Sequence, residues 1–125
     1  MKYKRENFNK MKKDYGDNSF SNLLNKKDNK VLRDTYILLD PKSCETERIT
    51  AGYTMVYPGC NTNGHKHCEY EEIYYITKGK GVIQIDEEKY DIETGDCFHI
   101  PFGIFHKTFN SNNENLEYFW VLCSK

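Results

Sequence analysis

The chain has no apolar run approaching the roughly 20 residues that a membrane helix needs, and its first residues are polar and basic with no apolar stretch of a leader peptide. The reading that follows is a protein that does not meet a membrane and resides in the cytoplasm. Cysteine is present five times, as Cys44, Cys60, Cys68, Cys97 and Cys123, but never as a CxxC pair, and an odd set of this kind argues against a secreted disulfide framework. Helical periodicity is missing beyond residue 30, and no internal repeat is legible. These absences exclude a membrane span, a disulfide scaffold and a helical bundle. At 125 residues the chain reads as one domain with enough bulk to bury a core of its own.

Charge is low overall but uneven. Residues 1–30 carry nine Lys or Arg against four acids, a net of +5, and residues 31–125 carry nine against fifteen, a net of −6. A basic segment can signal nucleic acid. Here it holds six asparagines and no dense Lys/Arg cluster, so a solvated Asn/Lys-rich arm over 1–30 is expected, and no nucleic-acid partner. Tyr3, Phe8, Tyr15, Phe20, Leu23 and Leu24 are its candidate anchors, with a short helix near Phe20 to Asn25 as a weak option.

From Val31 onward, short alternating runs are broken by Pro, Gly, Asn and Asp, the pattern of an all-β sandwich or barrel occupying 31–125. Strands are expected at 31–39, 48–57, 71–77, 82–86, 89–92, 97–100, 106–110 and 116–123. In the last of these both faces are apolar, which predicts cover on both sides, by the barrel interior on one and by a second sheet or a partner chain on the other.

The chemistry-bearing residues are His65, His67, Glu72 and His106. Imidazoles plus one carboxylate suit Fe, Mn, Ni, Co or Zn, whereas Ca and Mg prefer oxygen alone. The His-x-His spacing predicts both rings on one face of a single strand, because strand side chains alternate. Glu69 and Glu71 compete with Glu72, and strand parity favours Glu72 by grouping it with Tyr74 and Ile76. A zinc site that recruits Cys60 or Cys68 is the lesser option, since the spacing fits poorly. His99 lies outside the pattern and reads as a hydrogen-bonded surface residue. Tyr53, Met55, Tyr57, Tyr74, Gln84, Phe98, Phe105, Tyr118 and Trp120 are candidates for the lining of a pocket, with Tyr74 and Tyr118 as candidate catalytic groups.

The two segments around the ligands resemble the cupins. Gly59, His65, His67, Glu72 and Gly79 fall at the spacing of that family's first motif, and Gly95, Pro101, Gly103, His106 and Asn110 at that of its second. The resemblance spans about residues 48 to 122. It implies a small double-stranded β-helix, a jelly-roll relative, preceded here by an N-terminal extension. It also implies one divalent transition metal ion per chain, and a homodimer through strand exchange or sheet packing. The expected function is Lewis-acid chemistry on a small oxygenated metabolite (a carbonyl compound, sugar or hydroxy acid) by isomerisation, epimerisation, lyase action or decarboxylation. Two alternatives stay open: an iron-dependent dioxygenase, and a ligand-binding or sensory barrel without turnover.

Overall fold

The computed structural model describes residues 5–10 and 33–125. The arm anchors other than Phe8, and the short helix considered near Phe20, lie outside these residues. Among the described residues, a 3-10 turn at Phe8–Lys10 precedes eight strands: β1 Arg33–Leu39, β2 Ile49–Val56, β3 Tyr70–Lys78, β4 Lys80–Ile85, β5 Glu88–Glu93, β6 Cys97–Ile100, β7 His106–Phe109 and β8 Leu116–Ser124. Each of the eight expected strands is present, with no end moved by more than two residues. No helix among the described residues is long and apolar enough to cross a membrane.

The strands form a five-stranded sheet in the order β1-β2-β8-β3-β6 and a three-stranded sheet in the order β5-β4-β7, all antiparallel. Their pairing is nested. The strand β2 pairs with β8, β3 with β6 and β4 with β5, while the segment between β2 and β3 runs against β7 through the bridges Asn61–Phe109 and His65–His106. A chain folded back on itself in this way winds as a double-stranded β-helix.

Alternation explains what lies between the sheets. Val56, Ile76, Ile83, Ile100 and Leu116 are fully or nearly fully buried, and Ile92, Tyr74, Tyr118 and Trp120 complete the core. Burying an aliphatic side chain of this size is worth about 1.5–3 kcal/mol, so the core requires no disulfide. All five cysteines are free.

The core covers one face of the last strand, and the other face, for which a second sheet or a partner chain is the expected cover, is open within the single chain. Leu116, Tyr118 and Trp120 point into the core, whereas Phe119 is exposed on the opposite face, directly across from exposed Tyr75. Ile73 on the same outer face is also exposed.

Candidate metal centre

Glu72 sits on β3 at a cavity-facing position, two and four residues before Tyr74 and Ile76, as strand parity predicts. His106 opens β7 just after the turn made by Pro101–Ile104, in which Gly103 adopts φ +71°, a conformation open to glycine at no steric cost. The Gly103 amide donates to the carbonyl of His67 at 2.8 Å, which ties this turn to the other ligand segment.

His65 and His67 do not share a regular strand, contrary to expectation. Gly64, at φ +78°, bends the chain, and only His65 keeps a ladder pair, exchanging backbone hydrogen bonds of 3.1 and 2.9 Å with His106. The two rings nonetheless stand side by side, with centroids 4.3 Å apart, and His65 lies 4.5 Å from His106. The potential ligand atoms of His65, His67, Glu72 and His106 all fall within 4.8 Å of one another. No cysteine belongs to the group, which removes the thiolate alternative. Glu71 pairs instead with His99 at 2.8 Å on the exposed outer face, as the surface reading of His99 requires.

The polar atoms at the bottom of this cluster are the informative ones. His106 Nδ1 lies 3.2 Å from the carbonyl of Ile104, an acceptor, which leaves Nε2 as the nitrogen turned toward the cluster. That Nε2 is 2.7 Å from Glu72 Oε2, yet neither atom has hydrogen-bonding geometry toward the other, and both are buried without any other partner. Two buried polar atoms left bare would cost about 1–3 kcal/mol each. A cation between them removes that cost.

Burial, reinforced by the neighbouring His106 and His67, pulls the His65 pKa down to about 4, so its imidazole is neutral with a lone pair to offer. His67 shifts in the same direction, chiefly through burial. The donor set therefore fits a divalent transition metal: imidazole nitrogens, one carboxylate and two orphaned atoms aimed at a common point.

Above the cluster lies a cavity of about 190 Å³. Tyr74 and Tyr118 form one wall, their rings stacked at 4.6 Å, and the Tyr118 hydroxyl is 3.0 Å from that of Thr108. Burial raises the pKa of both phenols, so both stay protonated at neutral pH. Trp120 lies across the β2 backbone at Gly52, where an added Cβ would come within 2.2 Å of the indole, and its ring N–H donates to Thr54 Oγ1 at 2.9 Å.

Of the nine residues considered for the lining, Tyr74, Tyr118 and Trp120 are in place. Tyr53, Met55 and Tyr57 are not, because β2 turns its other face to the cavity. Tyr53 donates to Glu117 at 2.8 Å and Tyr57 donates to Asp34, both away from the site. Gln84 is held by the carbonyl of Asp86, Phe98 packs on the core, and Phe105 packs at Gly64. Sequence reasoning missed Arg33, Thr35 and Ile37, which alternate along β1 and also line the cavity. The alternation of β1 was the available signal.

An antiparallel barrel of nested pairs, with three histidines and a glutamate at its mouth, defines the cupin class. The sequence model of the cupin domain matches residues 52–122, and the chain belongs to that family. It is 35% identical over 97 residues to an uncharacterised protein of Methanocaldococcus jannaschii, a match covering 78% of this chain and 73% of that one. It is 35% identical over 65 residues to an oxalate-binding protein of Thermotoga maritima, covering 52% of this chain and 54% of that protein. Among solved structures, a predicted oxalate decarboxylase from Thermotoga maritima superposes with a TM-score of 0.69 at 27% identity, over 74% of this chain and 81% of that one. An RmlC-like cupin from Shewanella frigidimarina superposes with a TM-score of 0.71 over 96% and 89%, and at 12% identity it shows the fold alone.

Proposed function

We propose that the protein is a metal-dependent enzyme that acts on a small oxygenated metabolite. The observation that carries this reading is the buried, partnerless pair of Glu72 Oε2 and His106 Nε2 within a three-histidine, one-glutamate cluster. His65, His67, Glu72 and His106 hold one divalent ion of the Fe, Mn, Ni, Co or Zn group. When bound, it supplies Lewis-acid stabilisation of negative charge developing on a substrate oxygen. The chemistry this suits is isomerisation, epimerisation, lyase action or decarboxylation.

The protein's own groups do the rest. Tyr74 and Tyr118 are protonated, so their phenols serve as hydrogen-bond donors to the substrate and not as tyrosinate bases. Trp120 and Leu122 give the cavity apolar surface that limits water. The volume is below the roughly 300–1,000 Å³ of pockets for drug-sized molecules, which suits a compact metabolite. The names of two relatives make oxalate the first compound to test.

The test is product analysis by NMR with the metal-reconstituted protein and a panel of small hydroxy acids, keto acids, oxalate and sugars, with dissolved oxygen followed in parallel. Conversion without oxygen uptake, abolished in Glu72→Gln, is the expected result. Oxygen uptake coupled to conversion would replace the reading with an iron dioxygenase, and tight binding with no conversion would replace it with a sensory barrel. A homodimer is proposed as well, supported by the exposed Ile73, Tyr75 and Phe119 on the outer sheet face. Light scattering is expected to give about twice the chain mass of 14.8 kDa.

A further inference from the structure

We propose that Thr35 is a hydrogen-bond-donor subsite of the cavity, and that the ligand places against it an oxygen that carries no hydrogen, in a carboxylate or a carbonyl group. The inference rests on the reading of this cavity as the ligand site and names the chemistry of one of its walls.

Thr35 lies on β1, before the segment matched by the family model, so the family match does not assign it a role. It stands directly across the ladder from Thr54, and both line the cavity together with Trp120. The three side chains form a hydrogen-bonded chain with a direction. An indole N–H can only donate, and that of Trp120 donates to Thr54 Oγ1 at 2.9 Å. Thr54 Oγ1 is in turn 3.1 Å from Thr35 Oγ1. Thr54 is only 5% exposed, and among the described residues its hydroxyl has no side-chain partner besides these two. Were Thr35 the donor, the Thr54 hydrogen would be buried without an acceptor, at a cost of about 1–3 kcal/mol. Donation from Thr54 to Thr35 removes that cost, so the chain runs from Trp120 through Thr54 to Thr35.

The direction gives the ligand chemistry. With its oxygen accepting from Thr54, the Thr35 hydroxyl keeps one hydrogen to give, and no other side chain among the described residues takes it. Thr35 is half-buried and lines the cavity, so that hydrogen is free to turn toward a ligand. Each bond in such a chain polarises the next, which makes the last hydroxyl a better donor than an isolated threonine. A carboxylate or carbonyl oxygen accepts from it outright, and a charged acceptor makes the stronger bond. An apolar group placed there leaves the donor bare, and a ligand hydroxyl can accept only if its own hydrogen finds another partner.

The experiment exploits the fact that the chain has a single tryptophan, so one indole N–H resonance reports on Trp120. Oxalate and pyruvate are titrated by calorimetry into zinc-loaded wild type, Thr35→Val and Thr35→Ser, with zinc content measured for each and the indole resonance followed by NMR. Valine keeps the shape of threonine without the hydroxyl, and serine keeps the hydroxyl without the methyl. Thr35→Val is expected to weaken binding by about ten- to a hundredfold, the range of a hydrogen bond to a charged acceptor, with zinc content unchanged. Thr35→Ser should keep most of the affinity. Without ligand, the indole resonance should move upfield in Thr35→Val, where Thr54 loses its acceptor, and stay near its wild-type position in Thr35→Ser. Equal binding by wild type and Thr35→Val, or weaker binding by Thr35→Ser than by Thr35→Val, would make Thr35 a packing residue and overturn the subsite while the metal reading stands. An indole resonance unmoved in Thr35→Val would overturn the direction of the chain. Failure of zinc-loaded wild type to bind either probe would overturn the ligand chemistry. The expected affinities in a protein that converts neither compound would support the subsite and remove only the enzymatic reading.

Discussion

At the scale of the residue, the site is a problem of protons. His65 has its pKa held near 4 in the folded protein against 6.5 for a free side chain. Between those values the unfolded chain binds a proton at His65 that the folded chain does not, so stability must rise with pH across that window. His67 adds to the slope with the same sign. The urea midpoint of metal-free protein is therefore expected to climb from pH 4 to pH 6.5, less steeply in His65→Ala, and a flat or falling midpoint would contradict it. If the proposed activity holds, Tyr118→Phe in the metal-loaded protein is expected to lower kcat by about a hundredfold through loss of one donor to the substrate, with metal content unchanged. The four clustered residues were legible from spacing because three imidazoles and a carboxylate gathered inside a barrel are costly to bury without a cation to share. Arg33 was not, since a lone arginine on a strand is ordinarily a solvated residue.

At the scale of the element, the eight strands were legible because proline, glycine and asparagine mark nearly every break. Which face of β2 looks inward was not legible. Period-two alternation sorts residues into two sets without saying which is inside, and the aromatic set of Tyr53 and Tyr57 was the tempting choice. The structure puts Gly52 and Thr54 inside because the Trp120 indole needs that space. Gly52→Ala should therefore cost about 1–3 kcal/mol by overpacking, read as a drop in denaturant midpoint. The bend at Gly64 was hidden for a related reason: spacing alone cannot tell a strand from a loop that holds the same two rings together. Asn110, last in the second motif, ties separate elements. Its side-chain amide donates to the carbonyls of Val56 at 2.9 Å and Glu114 at 2.7 Å, and its own oxygen accepts from the Asn112 amide. Asn110→Ala leaves buried acceptors bare and should cost about 2–4 kcal/mol in thermal or urea unfolding, with metal stoichiometry retained in the folded fraction.

At the scale of the whole molecule, nested pairing gathers the four residues of the cluster from distant parts of the chain. Glu72 comes from the five-stranded sheet, His106 from the three-stranded sheet, and His65 and His67 from the segment that joins them along the mouth. Turns and alternation predict strands but not this winding, which came from the resemblance to the cupins. The N-terminal arm over 1–30 remains a proposal, since most of it lies outside the described residues. The proposed chemistry stands on the convergence of four side chains around one cation. The most direct test is elemental analysis of untagged protein equilibrated with Mn, Fe(II), Co, Ni or Zn, beside a His67→Ala, His106→Ala double variant whose β-sheet content is checked by circular dichroism. One transition metal ion per wild-type chain and none in the folded double variant is the predicted result. A wild type that binds none of these ions, or a double variant that binds as much as wild type, would contradict it.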